Sequence, residues 1–328
     1  MKRGLNPLLA LLVLVLFVLS LLVGPAHLGL METLRGFMAG GSEATAIILR
    51  DIRLPRALLG VLTGASLGLS GAVLQGLLRN PLADPGLIGV SATASLGAVL
   101  AFYSGLAAAS AIIMPLGALL GGALAVLILL AVAGRGNSTL TLILAGVALS
   151  SLAGALISLA LNLSRNPFAS YEISFWLLGS LKDRSMNHVV LVAPLMLAGW
   201  LAMALSARAL DALSLGEEAA HSLGVDMKRL RILVIAGVAL ATGAATAVTG
   251  MIGFVGLVVP HLVRPFTTQL PSAVLLPSAL GGAALLTAAD IFTRLLVTNV
   301  ELNVGVVTAL IGAPFFFWLV FRSRWETA

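Results

Sequence analysis

The sequence predicts an all-α polytopic membrane protein with about ten transmembrane helices. Apolar runs of roughly 18 or more residues, long enough to cross a bilayer, recur along the whole chain. Only 10% of the 328 residues are charged and the mean hydropathy is +1.10. These are too few charged residues to cover the surface of a soluble domain of this size. Abundant glycine (35) favours closely packed helices over a barrel, whose strands would alternate apolar and polar residues. We expect residues 1–328 to form a single transmembrane domain.

The apolar segments can be placed individually. The predicted spans are 6–24, 56–78, 88–104, 112–133, 140–162, 188–207, 231–249, 251–264, 272–292 and 304–321. An even number of spans returns both termini to one side, and the weak bias of basic residues favours the cytoplasm for them. The first run is too long for a typical signal peptide and has no clear cleavage site, so it is predicted to be a helix of the mature chain.

Several kinds of chemistry are excluded by the residues themselves. There are no cysteines, and the four histidines are scattered without metal-ligand spacing, so we expect no metal site. None of the three lysines follows a glycine, which excludes an ATP-binding P-loop. The basic pI of about 10.7 is typical of cytoplasmic loops in a membrane protein. No basic patch interleaved with aromatic residues supports nucleic acid as a partner.

Polar motifs mark one end of two predicted spans. Arg53 and Arg56 belong to an Arg-Leu-Pro-Arg motif at a helix start on the outer face, where proline suits the first turn. These arginines could dock carboxylates of a partner or extend to the lipid interface, and the motif alone leaves both open. Asp290 and Arg294 are four residues apart on one helix, the spacing of a structural salt bridge.

The second span carries small and weakly polar residues. Gly60, Gly64 and Gly68 repeat every four residues, which favours helix packing over a pore. Ser66, Ser70 and Gln75 lie on the same helix. They could line a path for substrate or bond to a neighbouring helix.

Two segments on the predicted inner face are candidate functional sites. The Asn-Pro-Leu-Ala-Asp-Pro-Gly loop at 80–86 is either a simple turn or a constriction at an inner mouth. The long loop at about 209–230 contains an amphipathic segment that would show Leu215, Ala219 and Leu223 on one face. Such a helix could insert into a groove of a partner or rest on lipid. Its acidic pair, Glu217 and Glu218, disfavours anionic lipid, so a partner is expected.

The ordered motifs resemble those of one known family. RLPR, SGAVLQ, RNPLADPGLIGV, LAGVALS, LGEEAAHSLGV, GMIGFVGLVVPHLVR, AAD…R and GVVTALIGAPFFFWL recur in this order in FecCD-type permeases. These are the membrane subunits of type II ABC importers for vitamin B12, haem and ferric siderophores. The resemblance implies a ten-span permease in the bacterial inner membrane that imports an iron chelate, or alternatively cobalamin. A self-sufficient secondary transporter is the other hypothesis. It is disfavoured because Asp290, the acidic residue nearest to membrane depth, has Arg294 beside it.

The resemblance also implies partners and site residues. The permease would be a homodimer that binds two ATP-binding cassette subunits and a periplasmic binding protein. ATP and magnesium would bind to the cassette subunits, and this chain would be neither an enzyme nor a cofactor protein. Docking of the binding protein is expected at Arg53, Arg56 and Arg294. A cytoplasmic gate is expected at Asn80, Leu82, Ser138 and Thr139, although Leu140 stands where the vitamin B12 importer has a further small polar residue. Coupling to the ATPase is expected at Leu215, Gly216, Glu217, Glu218, Ala219, Ala220, His221, Ser222, Leu223, Gly224 and Val225.

Overall fold

The computed structural model describes residues 4–24, 33, 43–110, 112–133, 139–164, 167–296 and 302–325, and the regular structure in these ranges is helical. We number the α-helices in chain order: α1 (Leu5–Leu22), α2 (Glu43–Ile47), α3 (Leu54–Leu78), α4 (Val90–Tyr103), α5 (Ile113–Ala133), α6 (Thr139–Leu163), α7 (Pro167–Leu177), α8 (Met186–Leu205), α9 (Ala207–Leu213), α10 (Glu217–Ser222), α11 (Met227–Thr249), α12 (Val255–Val263), α13 (Pro271–Leu295) and α14 (Val304–Trp325). A π-helical turn, Ile48–Arg53, joins α2 to α3.

Ten of these helices correspond to the ten predicted spans. In the described ranges, seven helical segments are long and apolar enough to cross a membrane, and α4, α12 and α14 are shorter apolar helices. Two predicted starts are off by four residues: α11 begins at Met227 rather than at residue 231, and α12 begins at Val255 rather than at residue 251. Gly250 and Phe254 both have positive φ angles, of 71° and 68°, so the chain between them cannot continue a right-handed helix.

Two helices form the centre of the fold. α3 packs against α13, α11, α12 and α8, while α11 packs against α8, α5, α3 and α4. Both are buried over most of their length, whereas α1 has two buried residues, Ser20 and Leu21, and packs mainly against α13.

The glycines of α3 are packing residues, as predicted. A Cβ atom at Gly64 would lie 2.8 Å from the Cα atom of Ala283, and one at Gly68 would lie 3.2 Å from the Cα atom of Gly282. Farther along, a Cβ at Gly71 would lie 2.6 Å from the Cα of Gly256 in α12. The backbones of α3, α12 and α13 therefore approach one another where only glycine fits.

α3 also separates the two polar regions of the molecule. Its 25 residues rise roughly 37 Å at 1.5 Å per residue, which exceeds the hydrocarbon core of a bilayer. Arg56 lies in its first turn, and Gln75 lies in its last turn. The predicted docking arginines and the predicted gate loop are thus at opposite ends of one helix.

Candidate functional site

The first candidate surface is a cluster of charges centred on Asp290. Both carboxylate oxygens are used: Oδ1 lies 2.9 Å from Arg56 Nη2, and Oδ2 lies 2.9 Å from Arg294 Nη2. The exposed fraction of the side chain is 2% for Asp290, 12% for Arg56 and 4% for Arg294. The salt bridge predicted between Asp290 and Arg294 is confirmed, and the structure adds Arg56 to it.

Arg53 joins this cluster from the π-helical turn. It is 4% exposed, and its Nη1 atom donates hydrogen bonds to main-chain carbonyls at the end of α1. All three arginines predicted to dock a binding protein are thus brought together, with Arg53 and Arg294 reaching into the fold rather than out of it. Their docking role stays a prediction.

The second candidate surface is the loop after α3. Asn80 accepts a hydrogen bond from the Leu82 N–H (2.9 Å), and Asp84 accepts one from the Gly86 N–H (2.8 Å) and so caps the 3-10 turn Pro85–Ile88. Burial raises the pKa of the Asp84 carboxyl, although the bond from Gly86 acts in the opposite direction. Local bonds therefore fix the shape of the loop that contains two of the four predicted gate residues.

Gln75 connects this loop to the rest of the fold. Its amide nitrogen lies 3.4–3.5 Å from the carbonyl oxygens of Ala83, Gly256 and Leu257, and its oxygen accepts from Arg264 Nη2 at 3.0 Å. The sequence left open whether Gln75 lines a path, and the structure shows a buried link between α3, the loop and α12. Sequence reasoning did not identify the Arg264 partner, because the two residues are 189 positions apart.

The two serines of α3 also bond to neighbouring helices. Trp200 Nε1 donates to Ser66 Oγ at 2.9 Å, and Ser70 Oγ lies 3.6 Å from the Met203 sulfur. Both serines are fully buried. Of the two interpretations of these polar residues, bonding to a neighbouring helix is the one the structure shows.

The other predicted gate residues lie at the start of α6. Thr139 is its first residue, whereas Ser138 is outside the described residues. About two turns farther along, a Cβ at Gly146 would lie 2.9 Å from the Cα of Ile88, so α6 packs directly on the 3-10 turn. The 3-10 turn that follows the loop therefore packs against α6 about two turns from Thr139, and the shared gate stays a prediction.

The third candidate surface is the segment at 215–225. It contains the short helix α10, flanked by Gly216 and Gly224, whose φ angles of 113° and 83° favour glycine. Leu215 and Leu223 are exposed. Ala220, between them in sequence, is buried and packs against the core. The predicted helix with Leu215, Ala219 and Leu223 on one face is shorter than expected: α10 contains Ala219, which is half-exposed, while the two leucines flank it.

The acidic pair of α10 divides into two roles. Glu217 Oε1 lies 3.1 Å from Arg231 Nη2 and thereby attaches α10 to the start of α11, the second central helix. Glu218 is exposed and lies next to the exposed leucines in sequence. Sequence reasoning gave the two carboxylates the same role. It did not identify Arg231, fourteen residues away, as the partner of Glu217.

Metal chemistry has no evident place on these surfaces. Among the residues that the structure describes, no three His, Cys, Asp or Glu side chains lie together in a way that could hold a metal ion. The carboxylate of Asp290 is already shared by two guanidinium groups.

Curated relatives cover nearly the whole chain. The hemin transport system permease protein HmuU of Yersinia pestis is 37% identical over 99% of this chain and 98% of its own length. A vitamin B12 import system permease protein, BtuC of Vibrio vulnificus, is 39% identical over 95% of this chain and 92% of its own. The ferric enterobactin transport system permease protein FepD of Escherichia coli is 40% identical over 97% and 95%.

A solved structure agrees with the fold described above. An inward-facing ABC transporter described as of metal-chelate type superposes with a TM-score of 0.87 at 33% identity, covering 98% of this chain and 100% of that chain. The profile of the FecCD transport family matches residues 12–322. The protein is a multi-span membrane protein, and it belongs to the FecCD transport family.

Proposed function

We propose that this chain is the permease subunit of an ABC importer that moves an iron chelate, either haem or a ferric siderophore, into the cytoplasm. The observation that carries the proposal is the match to the FecCD family over residues 12–322, with permease relatives along almost the full length. The chain itself would perform no covalent chemistry. Hydrolysis of ATP, with its magnesium, belongs in this proposal to a separate subunit.

The positions of the candidate surfaces support a chain with partners on both sides of the membrane. The cluster at Asp290 lies at one end of α3, and the other end of α3 packs against α9, which leads into α10. In the proposed complex, which contains two copies of this chain in the inner membrane with all termini cytoplasmic, a periplasmic binding protein meets the first end. Two ATP-binding cassette subunits meet the exposed leucines and Glu218 at the second.

A polar stripe on α6 supports a substrate path beside this helix. Ser151, Ser158 and Asn162 are exposed on a helix that is long and apolar enough to cross a membrane. Polar side chains are unfavourable against lipid, so a face of this kind is better placed against water or against a second copy of the chain. We also propose that Thr139, at the start of the same helix, contributes to the cytoplasmic gate with Asn80 and Leu82.

The identity of the chelate is the finer part of the proposal. The relatives include permeases named for hemin, for ferric enterobactin and for vitamin B12, at 37–40% identity. Cobalamin is therefore a second candidate with equal support from sequence similarity. In each case the cargo is a bulky metal complex, which suits a path lined by few charges.

The test is ATP hydrolysis by this chain reconstituted in liposomes with a cognate cassette subunit. Binding proteins loaded with haem, with a ferric siderophore or with cobalamin are added in turn. Stimulation by one of the iron chelates supports the proposal and identifies the cargo, and stimulation by cobalamin alone replaces the iron chelate with the second candidate. Failure to assemble with any cassette subunit would contradict the importer.

Charge reversal at Glu218 tests the coupling surface. We expect Glu218→Lys to weaken assembly with the cassette subunit roughly tenfold, which corresponds to about 1.4 kcal/mol, because this exposed carboxylate faces the proposed partner. The measurement is the concentration of cassette subunit needed for half-maximal complex formation in detergent.

A neighbouring pair provides the control. Glu217→Lys breaks the internal pair with Arg231, and the double variant Glu217→Lys with Arg231→Glu restores a pair of reversed polarity. We expect the double variant to recover most of the loss caused by Glu217→Lys. Unchanged assembly of Glu218→Lys would contradict the role proposed for this segment.

A further inference from the structure

The end of α1 differs from the rest of that helix. Ser20 and Leu21 in its last turn are buried, whereas the other residues of α1 are exposed or half-buried. The last turn contains no basic residue of its own. Because the final carbonyls of a helix have no partner within the helix, their hydrogen bonds must come from elsewhere.

Two arginines from distant helices supply these bonds. Arg294 Nη1 donates to the carbonyl oxygens of Ser20 (2.9 Å) and Val23 (2.8 Å). Arg53 Nη1 donates to the two carbonyls between them, at 2.8 Å each. Four consecutive carbonyls at the end of α1, from Ser20 to the capping residue Val23, are thus held by two guanidinium groups. Cations at a helix C-terminus also interact favourably with the helix dipole, and bonds from charged donors are the stronger kind.

The chain after α1 is shaped for one of these guanidinium groups. A Cβ atom at Gly24 would lie only 3.0 Å from Arg53 Nη2 and 3.2 Å from Arg53 Nε. That is tighter than most Cβ contacts, so a larger residue would require the end of the Arg53 side chain to shift by a few tenths of an ångström. Glycine at this position lets Arg53 reach the carbonyls without such a shift.

Arg294 has its donors fully engaged. A guanidinium has five N–H groups. Nη1 makes the two bonds to α1, Nη2 contacts Ser20 Oγ (2.7 Å) and Asp290 Oδ2 (2.9 Å), and Nε is directed at the Asp290 carbonyl (3.4 Å). A carboxylate from outside could therefore bind Arg294 only by displacing one of these groups. The carbonyls of Ser20 and Val23 are two of the groups that it could displace.

We propose that Arg53 and Arg294 are positioning residues that clamp the end of α1 onto α3 and α13, and that the clamp must open before Arg294 can bind a carboxylate of an external protein. The clamp goes beyond the function proposed above and does not depend on it. Only the second part, the exclusion between clamp and docked protein, rests on that function. By thermodynamic reciprocity, docking would loosen α1, and loosening α1 would favour docking.

Cysteine labelling can test the clamp, because the chain has no cysteine of its own. Leu21→Cys places a single thiol in the buried last turn of α1, and its reaction with a water-soluble maleimide is followed in detergent. We expect Arg53→Gln and Arg294→Gln each to speed labelling roughly tenfold or more, since loss of charge-assisted bonds raises the population of the open state.

Arg56→Gln is the matched control. It removes a guanidinium from the same carboxylate but leaves the four bonds to α1 in place. If a glutamine variant does not fold, the corresponding lysine variant keeps the charge while losing the planar arrangement of donors, and it should give an intermediate rate. The proposal would be overturned if Leu21→Cys were labelled at the same rate with Arg294→Gln as with all its arginines intact. It would also be overturned if Arg56→Gln accelerated labelling as much as Arg294→Gln does.

The exclusion is tested with the loaded binding protein that stimulates ATP hydrolysis in the liposome experiment. Added to Leu21→Cys at saturation, it should accelerate labelling in the chain with its arginines intact. Unchanged labelling while the binding protein is docked would overturn the exclusion. Failure of the functional proposal would show separately, as an absence of stimulation, and the variant series would still decide whether the clamp exists.

Discussion

Gly71→Ala is expected to destabilise the protein severely, although it adds a single methyl group. The new Cβ would lie 2.5 Å from the carbonyl carbon and 2.6 Å from the Cα of Gly256. These are backbone atoms of α12, so no change of rotamer could make room. The helices must separate, which for overpacking of this kind costs about 1–3 kcal/mol or more. The measurement is the free energy of unfolding, or the midpoint of thermal unfolding, in one detergent.

Gly122→Ala is the matched control for this substitution. Gly122 also lies within an apolar helix, α5, but the nearest atoms to its added Cβ would be 3.7 Å away, an ordinary van der Waals distance. We expect it to be neutral or to stabilise by up to about 1 kcal/mol through helix propensity. Equal stability of the two alanine variants would show that the backbones of α3 and α12 are not in the contact described.

Asp290→Asn is expected to have a comparably large effect for an electrostatic reason. The variant keeps the shape of the side chain but leaves Arg56 and Arg294 facing a neutral amide in a site where the three side chains are largely buried. Removing one partner from a buried ion pair typically costs about 3–5 kcal/mol. We therefore expect a lower unfolding midpoint and a lower yield of folded protein.

Asp226→Asn serves as the control for charge removal alone. Asp226 pairs with Arg229 at 3.2 Å, but both side chains are mostly exposed, and asparagine can still cap α11. We expect a change of less than about 1 kcal/mol. A secondary transporter that used Asp290 for proton coupling would give a different pattern: Asp290→Asn would fold normally and abolish transport, and transport would not need a cassette subunit.

The helices of this fold were predictable because the membrane imposes a length and a composition on each span. Every predicted span coincides with an apolar helix, and the four-residue glycine repeat at Gly60, Gly64 and Gly68 correctly predicted packing. The start of α12 was placed four residues early. The error arose because Phe254, a residue that rarely adopts a left-handed conformation, does so here and delays the helix.

The contacts of the candidate sites were predictable only where both partners are close in sequence. The pair of Asp290 with Arg294 follows from helical spacing, and it is confirmed. The bonds from Arg53 to α1 end on main-chain carbonyls, which no residue type signals. Gln75 likewise contacts main-chain carbonyls, and its side-chain partner Arg264 lies 189 positions away. Sequence reasoning thus located the charged and polar residues but not the direction in which they point.

The close approach of backbones along α3 has a consequence for how this protein can move. Sliding of one helix past another ordinarily proceeds by small rearrangements of interdigitating side chains. At Gly64, Gly68 and Gly71 there is no side chain to rearrange, because main chain meets main chain. α3, α12 and α13 are therefore expected to travel as one rigid body. Any opening of a passage through the membrane would have to occur at the boundary between this body and helices such as α4, α5 and α6.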